Sequence, residues 1–225
     1  MTLIKFIGDV HGKYGRYETI LKNSDLPTIQ VGDMGVGFFH RDYEGTLRPF
    51  ANPPYDKMVA GNHRFIRGNH DNPYVCRQHT QFIPDGTVEN DVMFVGGGLS
   101  IDRDFRVLNE TYWADEELSI EELYNITDKY LEVKPRIMIT HEAPEIVTDH
   151  MFNKMKINDP SRTRQAFQSM WEQHKPELWI FGHWHDHRDM NILGTRFICL
   201  NELQTCDVDL ESLTVIYDGN ENSHV

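Results

Sequence analysis

The sequence predicts an α/β fold built on parallel strands, and three observations carry that expectation. Short apolar runs alternate with helical patterns over the first seventy residues. Each of those runs stops at a glycine followed by Asp or Asn. The same strand-then-polar arrangement returns twice in the second half of the chain. In parallel α/β sheets, sites form at the carboxyl ends of the strands, where such residues would lie.

The elements follow in order. Leu3–Ile7 reads as a buried strand ending at Gly8-Asp9, and Arg16–Lys22 carries Tyr17, Ile20 and Leu21 at helical spacing. Thr28–Val31 and Phe65–Arg67 are the second and third strands, ending at Gly32-Asp33 and Gly68-Asn69. Between them His40–Lys57, with Pro49, Pro53 and Pro54, reads as an irregular surface excursion. Val88–Ile101 resembles a hairpin or strand leading into a Gly-rich turn. Ser119 and Glu122 form a capping box for an acidic helix towards Leu131. Arg136–Ile139 is a strand ending at Thr140-His141. Asp159-Pro160 is placed to start a helix with Ala166, Phe167, Met170 and Trp171 on one face. Leu178–Phe181 leads to Gly182-His183, and Thr195–Leu200 and Ser212–Tyr217 read as late antiparallel strands. Residues 1–217 are assigned to one domain and 218–225 to a polar, frayed tail.

Composition narrows the function. The chain has 225 residues, 39% hydrophobic, with 22 basic and 35 acidic residues and a net charge of −13. That size fits one domain, and that charge argues against a grip on duplex nucleic acid, which needs a basic face. No apolar run reaches the ~20 residues of a membrane span. The start, with Lys5 and Asp9 in its apolar stretch, does not read as a signal peptide. Cys76, Cys199 and Cys206 lack CxxC spacing, so a reducing, cytoplasmic setting is expected, without a disulfide framework.

Five segments repeat one grammar of strand, small residue and metal-ligand types: GDVHG (8–12), GDMG (32–35), RGNHD (67–71), THEAP (140–144) and GHWH (182–185). In extended backbone Asp9 and His11 would point to one side and could hold one ion, as would His183 and His185. Together Asp9, His11, Asp33, Asn69, His141, His183 and His185 offer three oxygen and four imidazole donors. These exceed one tetrahedral ion and suit two ions sharing a carboxylate bridge, the arrangement used for displacement at phosphorus. Mixed N/O donors without thiolate suit Mn, Fe, Zn, Co or Ni better than Ca. Gly8–Lys13 superficially suggests a P-loop but has one residue too few between its glycines, and Tyr14 where Ser or Thr is needed.

These five motifs, in this order, resemble the calcineurin-like metallophosphoesterase superfamily. The resemblance implies a four-layer α/β sandwich of two mixed β-sheets flanked by helices. It implies one metal on Asp9, His11, Asp33 and His185, and a second on Asp33, Asn69, His141 and His183, with manganese expected first. It also implies His70 as the group that protonates the leaving oxygen. The other GNH, at Gly61–His63, does not follow a clean strand end, and its His63 reads as a residue of a solvated turn.

One departure bears on substrate. The protein-phosphatase branch reads GDxVDRG, whereas Val36 and Gly37 stand here at the Asp and Arg positions. Arg67, Arg103 and Arg106 are candidates to supply the missing guanidinium, with Arg67 and Arg103 taken as substrate-binding. His187 reads as a surface residue, Asp115–Glu122 as a solvated helix start, and Trp171, Trp179 and Trp184 as packing residues. The expected function is two-metal hydrolysis of phosphate esters of a small substrate or phosphoprotein, first as a phosphomonoesterase and alternatively as a phosphodiesterase. A reading of another class is a non-catalytic scaffold that keeps the fold.

Overall fold

The structure, a computed structural model, describes residues 3–152 and 161–217. Two mixed sheets face each other. The first has the order β13-β12-β1-β2-β5, formed by Val215–Tyr217, Thr205–Asp209, Leu3–Ile7, Thr28–Gln30 and His63–Phe65. The second has the order β10-β11-β9-β8-β7-β6, formed by Arg188–Ile192, Thr195–Cys199, Leu178–Phe181, Ile137–Thr140, Val92–Val95 and Thr87–Glu89. β1, β2 and β5 run parallel, as do β7, β8, β9 and β11, with antiparallel partners towards the sheet edges.

The alternation of each strand explains the layers. Phe6, Ile29, Val92, Phe94, Ile137, Ile139, Leu178 and Ile180 turn inward and fill the space between the sheets. The opposite face of the first sheet, with Ile7 and Phe65, packs Tyr17, Leu21 and Met58 of α1 (Tyr14–Lys22) and α2 (Tyr55–Ala60), with Cys76 of α3 (Pro73–Cys76). The outer face of the second sheet, with Met138, Trp179 and Phe197, packs three further helices. These are α4 (Ile120–Val133), α5 (Glu145–Phe152) and α6 (Arg162–Gln173). The result is the four-layer sandwich of two mixed sheets flanked by helices. Among the described residues no helix is long and apolar enough to cross a membrane.

Several elements differ from the sequence reading. His40–Lys57 contains a hairpin, β3 (Phe39–Arg41) with β4 (Leu47–Pro49), followed by α2. Its strands are three residues long and carry no alternation. The turn is fixed by the Asp42 carboxylate, which accepts from the amides of Glu44 and Thr46. The hairpin expected in Val88–Ile101 is β6–β7, turned by Asn90 and Asp91 in left-handed backbone. The capping box of Ser119 and Glu122 opens α4. Asp159 and Pro160 lie outside the described residues, and Ser161 caps α6 by accepting from the Arg164 amide. Thr195–Cys199 is antiparallel to β10 but parallel to β9. Only Val215–Tyr217 of the last run is strand, and residues 218–225 lie outside the described residues.

Candidate metal centre and active site

The five motif loops leave the carboxyl ends of β1, β2, β5, β8 and β9 and converge at one end of the sandwich. Two glycines make the convergence possible. A Cβ on Gly68 would lie 2.1 Å from Asp33 Oδ1, and one on Gly182 would lie 2.2 Å from Asp9 Oδ1. Any side chain there would push a carboxylate out of the centre.

The expected donors fall into two groups joined by Asp33. Asp9, His11, Asp33 and His185 place one donor atom each within 4.8 Å of one another, and Asp33, His141 and His183 do the same. Asp33 Oδ2 is 3.6 Å from His11 Nε2, while Oδ1 is 3.3 Å from His141 Nε2. Its two oxygens therefore face different groups, as a bridging carboxylate requires. Asn69 joins the second group: its Oδ1 is 3.1 Å from His141 Nε2 and 2.9 Å from His183 Nδ1. His185 Nε2 is 2.8 Å from His11 Nε2 and 3.1 Å from Asp9 Oδ2.

The backbone corrects one piece of the sequence argument. His11, His183 and His185 are not extended but left-handed, with φ of 47°, 70° and 49°, and Asp33 has φ of 58°. His183 and His185 consequently serve different groups, whereas Asp9 and His11 do share one. Trp184 between them stacks on Phe152 and donates to Glu142 Oε1 at 2.8 Å.

Surrounding groups fix which atom of each donor faces the centre. His141 Nδ1 donates to the Val31 carbonyl at 2.9 Å, leaving Nε2 inward. His183 sets its Nε2 3.5 Å from the buried Glu142 carboxylate and its Nδ1 inward. The Ser100 hydroxyl donates to Glu116 at 2.6 Å and accepts from Asn69 Nδ2 at 3.0 Å. That chain settles the amide orientation and turns the Asn69 oxygen to the centre. Asp71 takes no place among the donors. Its carboxylate accepts from the amides of Met34, Gly35, Val36 and Gly68, locking the second and third loops together.

Electrostatics match this placement. Burial would raise the carboxyls of Asp9 and Asp33, but the neighbouring imidazoles hold both down, Asp9 at about 2. Burial opposes charge on His141, yet Asp33 beside it lifts the ring to about 10. Burial raises Glu116 to about 7 and Asp71 to about 6. Two carboxylates and four imidazoles with their donor atoms already turned inward fit divalent cations of the transition series, and no thiolate approaches.

His70 lies at the rim. Its amide donates to Asp33 Oδ1 at 2.7 Å, its ring stacks on Phe38 at 5.1 Å, and Arg106 Nη2 is 2.6 Å from its Nε2. Burial brings its pKa down to about 3, with Asp33 opposing and Arg106 adding to the fall. His63 is elsewhere. It is buried at the start of β5, the opposite end of the strand from the motif loop, and not on a solvated turn.

The arginine that reaches the site is Arg106, held by both Asp102 oxygens at 2.6 and 2.9 Å. Arg103 opens the 3₁₀ turn Arg103–Phe105 that leads to it. Arg67 does not face substrate. It is 1% exposed and bonds Asp85 Oδ2 at 2.8 Å and the carbonyls of Asp115 and Glu116. Glu116 and Glu117 in the acidic run are buried as well, so its first half belongs to the interior, while Glu121 and Glu122 are exposed in the first turn of α4 and form the solvated helix start. Arg67→Met should leave Asp85 uncompensated. It is expected to cost about 3 kcal/mol in a denaturant titration, with KM for a phosphate ester unchanged.

Such a sandwich, with a carboxylate shared between two imidazole clusters at its strand ends, defines a metal-dependent phosphoesterase. The chain matches the calcineurin-like phosphoesterase family over residues 2–187 and belongs to it. The comparison with curated proteins finds no match. Among solved structures it is similar to GAP50, the anchor in the inner membrane complex of Plasmodium. That likeness is at 7% identity and a TM-score of 0.55, covering 100% of this chain and 87% of the other. It is also similar to the phosphopantetheinyl hydrolase PptH of Mycobacterium tuberculosis, at 12% identity and a TM-score of 0.52, covering 88% and 89%. Both likenesses concern the fold.

Proposed function

We propose that the protein hydrolyses phosphomonoesters of a small substrate or phosphoprotein with two divalent ions, manganese first among Mn, Fe, Zn, Co and Ni. One ion is assigned to Asp9, His11, Asp33 and His185, the other to Asp33, Asn69, His141 and His183. When bound, such a pair activates a water and neutralises the charge developing on phosphorus. The observation that carries the monoester reading is Arg106. The Asp-Arg pair of the phosphatase branch is missing, since Val36 is core and Gly37 packs against Asn72. Arg106 arrives instead from a different segment and lies against His70. Its guanidinium can hold the extra negative charge that separates a monoester from a diester.

His70 Nε2 is assigned the proton for the leaving oxygen. Bound phosphate would draw the Arg106 donors from Nε2 and favour a proton there by its negative charge. The buried free thiols of Cys76, Cys199 and Cys206 support a reducing, cytoplasmic setting. The net charge of −13 argues against duplex nucleic acid as a partner.

A side-by-side assay on p-nitrophenyl phosphate and bis-p-nitrophenyl phosphate, with and without chelator, tests the reading. Chelator-sensitive turnover of the monoester, at least ten-fold over the diester, is expected. Preference for the diester would make the chain a phosphodiesterase. Activity indifferent to exhaustive chelation would remove the metals from the reaction.

A further inference from the structure

Beside His70 opens a cleft of about 390 Å³. One wall is the β3–β4 hairpin with its flanks, bringing Phe38, Arg41, Leu47 and Phe50; the other is the 102–111 segment, bringing Phe105 and Arg106. Phe38 and Phe50 stack at 5.5 Å, and Phe38 in turn stacks on His70. A continuous aromatic face thus runs outward from the atom assigned to protonate the leaving oxygen.

The opposite lip is unusual for a protein surface. Phe105 is 92% exposed, and Ile101, Val107 and Leu108 near it are also exposed. A run of exposed apolar side chains is characteristic of an interaction surface, and beside a polar centre that surface suits a ligand groove. Geometry says which part of the ligand that is. His11 belongs to the donor cluster and, with His70, lines this cleft, so with a phosphoryl group over the cluster the group leaving past His70 enters it.

From this arrangement we infer that the cleft is a leaving-group subsite selecting phosphate esters whose leaving group carries a planar aromatic ring. The inference rests on the phosphoesterase reading and specifies its substrate class. Two sources share that chemistry, a nucleoside and a tyrosine side chain. Phe50 already stacks on Phe38 and His40 and borders the ring, while exposed Phe105 offers the free face. Stacking there is indifferent to ring identity, because every such ring offers a π-face. Arg41 flanks the ring and adds a cation–π or hydrogen-bond contact at its edge.

The test reads binding, so it stands apart from turnover. Metal-loaded protein is titrated with alcohols matched except for the ring: adenosine against ribose, and N-acetyltyrosinamide against N-acetylserinamide, followed by saturation-transfer NMR. In at least one pair the aromatic member is expected to bind about ten-fold more tightly, the scale of one ring-on-aromatic stack. The pair that discriminates names the source. Phe105→Ala, an exposed substitution that leaves the core intact, should reduce the discrimination to less than three-fold. Equal binding within both pairs would overturn the inference, as would discrimination untouched by Phe105→Ala and Phe50→Ala. Failure of the phosphoesterase reading is separate: it would appear as no chelator-sensitive turnover of any phosphate ester.

Discussion

Asp33→Asn is expected to lose metal and activity together. The carboxylate turns one oxygen to His11 and the other to His141, and an amide cannot offer two anionic oxygens to two cations. Oδ1 also accepts the His70 amide, so the substitution loosens the third loop. The ions supply several kcal/mol of charge stabilisation in the transition state. Loss of the bridge should therefore lower kcat/KM by about 10³-fold or more. Elemental analysis and turnover on the same preparation check it. A variant that keeps a full metal complement would mean that Asp33 does not bridge.

His70→Asn should behave differently, keeping its metal while slowing turnover. The contact between residue 70 and Asp33 is made by the backbone amide, which survives the substitution. General acid catalysis contributes about 10²–10⁴-fold, so the defect should fall in that range on an alkyl phosphate. It should shrink with p-nitrophenyl phosphate, whose leaving group hardly needs a proton. Equal loss on both leaving groups, or loss of metal, would end the acid assignment. His63→Asn is the control. Buried at the far end of β5, it should alter stability and leave kcat near wild type.

The donor residues were legible because each follows a short apolar strand, and strands of that kind announce themselves in sequence. Grouping was less legible. Periodicity assumes extended backbone after the strand, and His183 and His185 part company because both turn left-handed. The groups that orient the donors left no local signal. Ser100 and Glu116 meet across a loop, and Glu142 reaches both His183 and Trp184. Burial of a polar side chain depends on tertiary partners, not on its neighbours in the chain. The arginines make the same point. Arg67 adjoins the third motif yet turns into the protein to meet Asp85, while Arg106, far from any motif, reaches His70. The four layers were legible through the resemblance, but the β3–β4 hairpin was not, since three-residue strands carry too little pattern to detect.

The left-handed donors have a practical consequence for engineering. His11, Asp33, His183 and His185 hold a backbone conformation that costs a non-glycine residue on the order of 1 kcal/mol. Such strain sits where chemistry demands it and is carried by the rest of the fold. Glycine at any of the four would ease the backbone and delete a donor in a single change. A selection for thermal stability run on this protein without a test for turnover will therefore drift towards inactive chains at these positions. Libraries meant to stabilise the enzyme should hold all four fixed and search the helical outer layers instead.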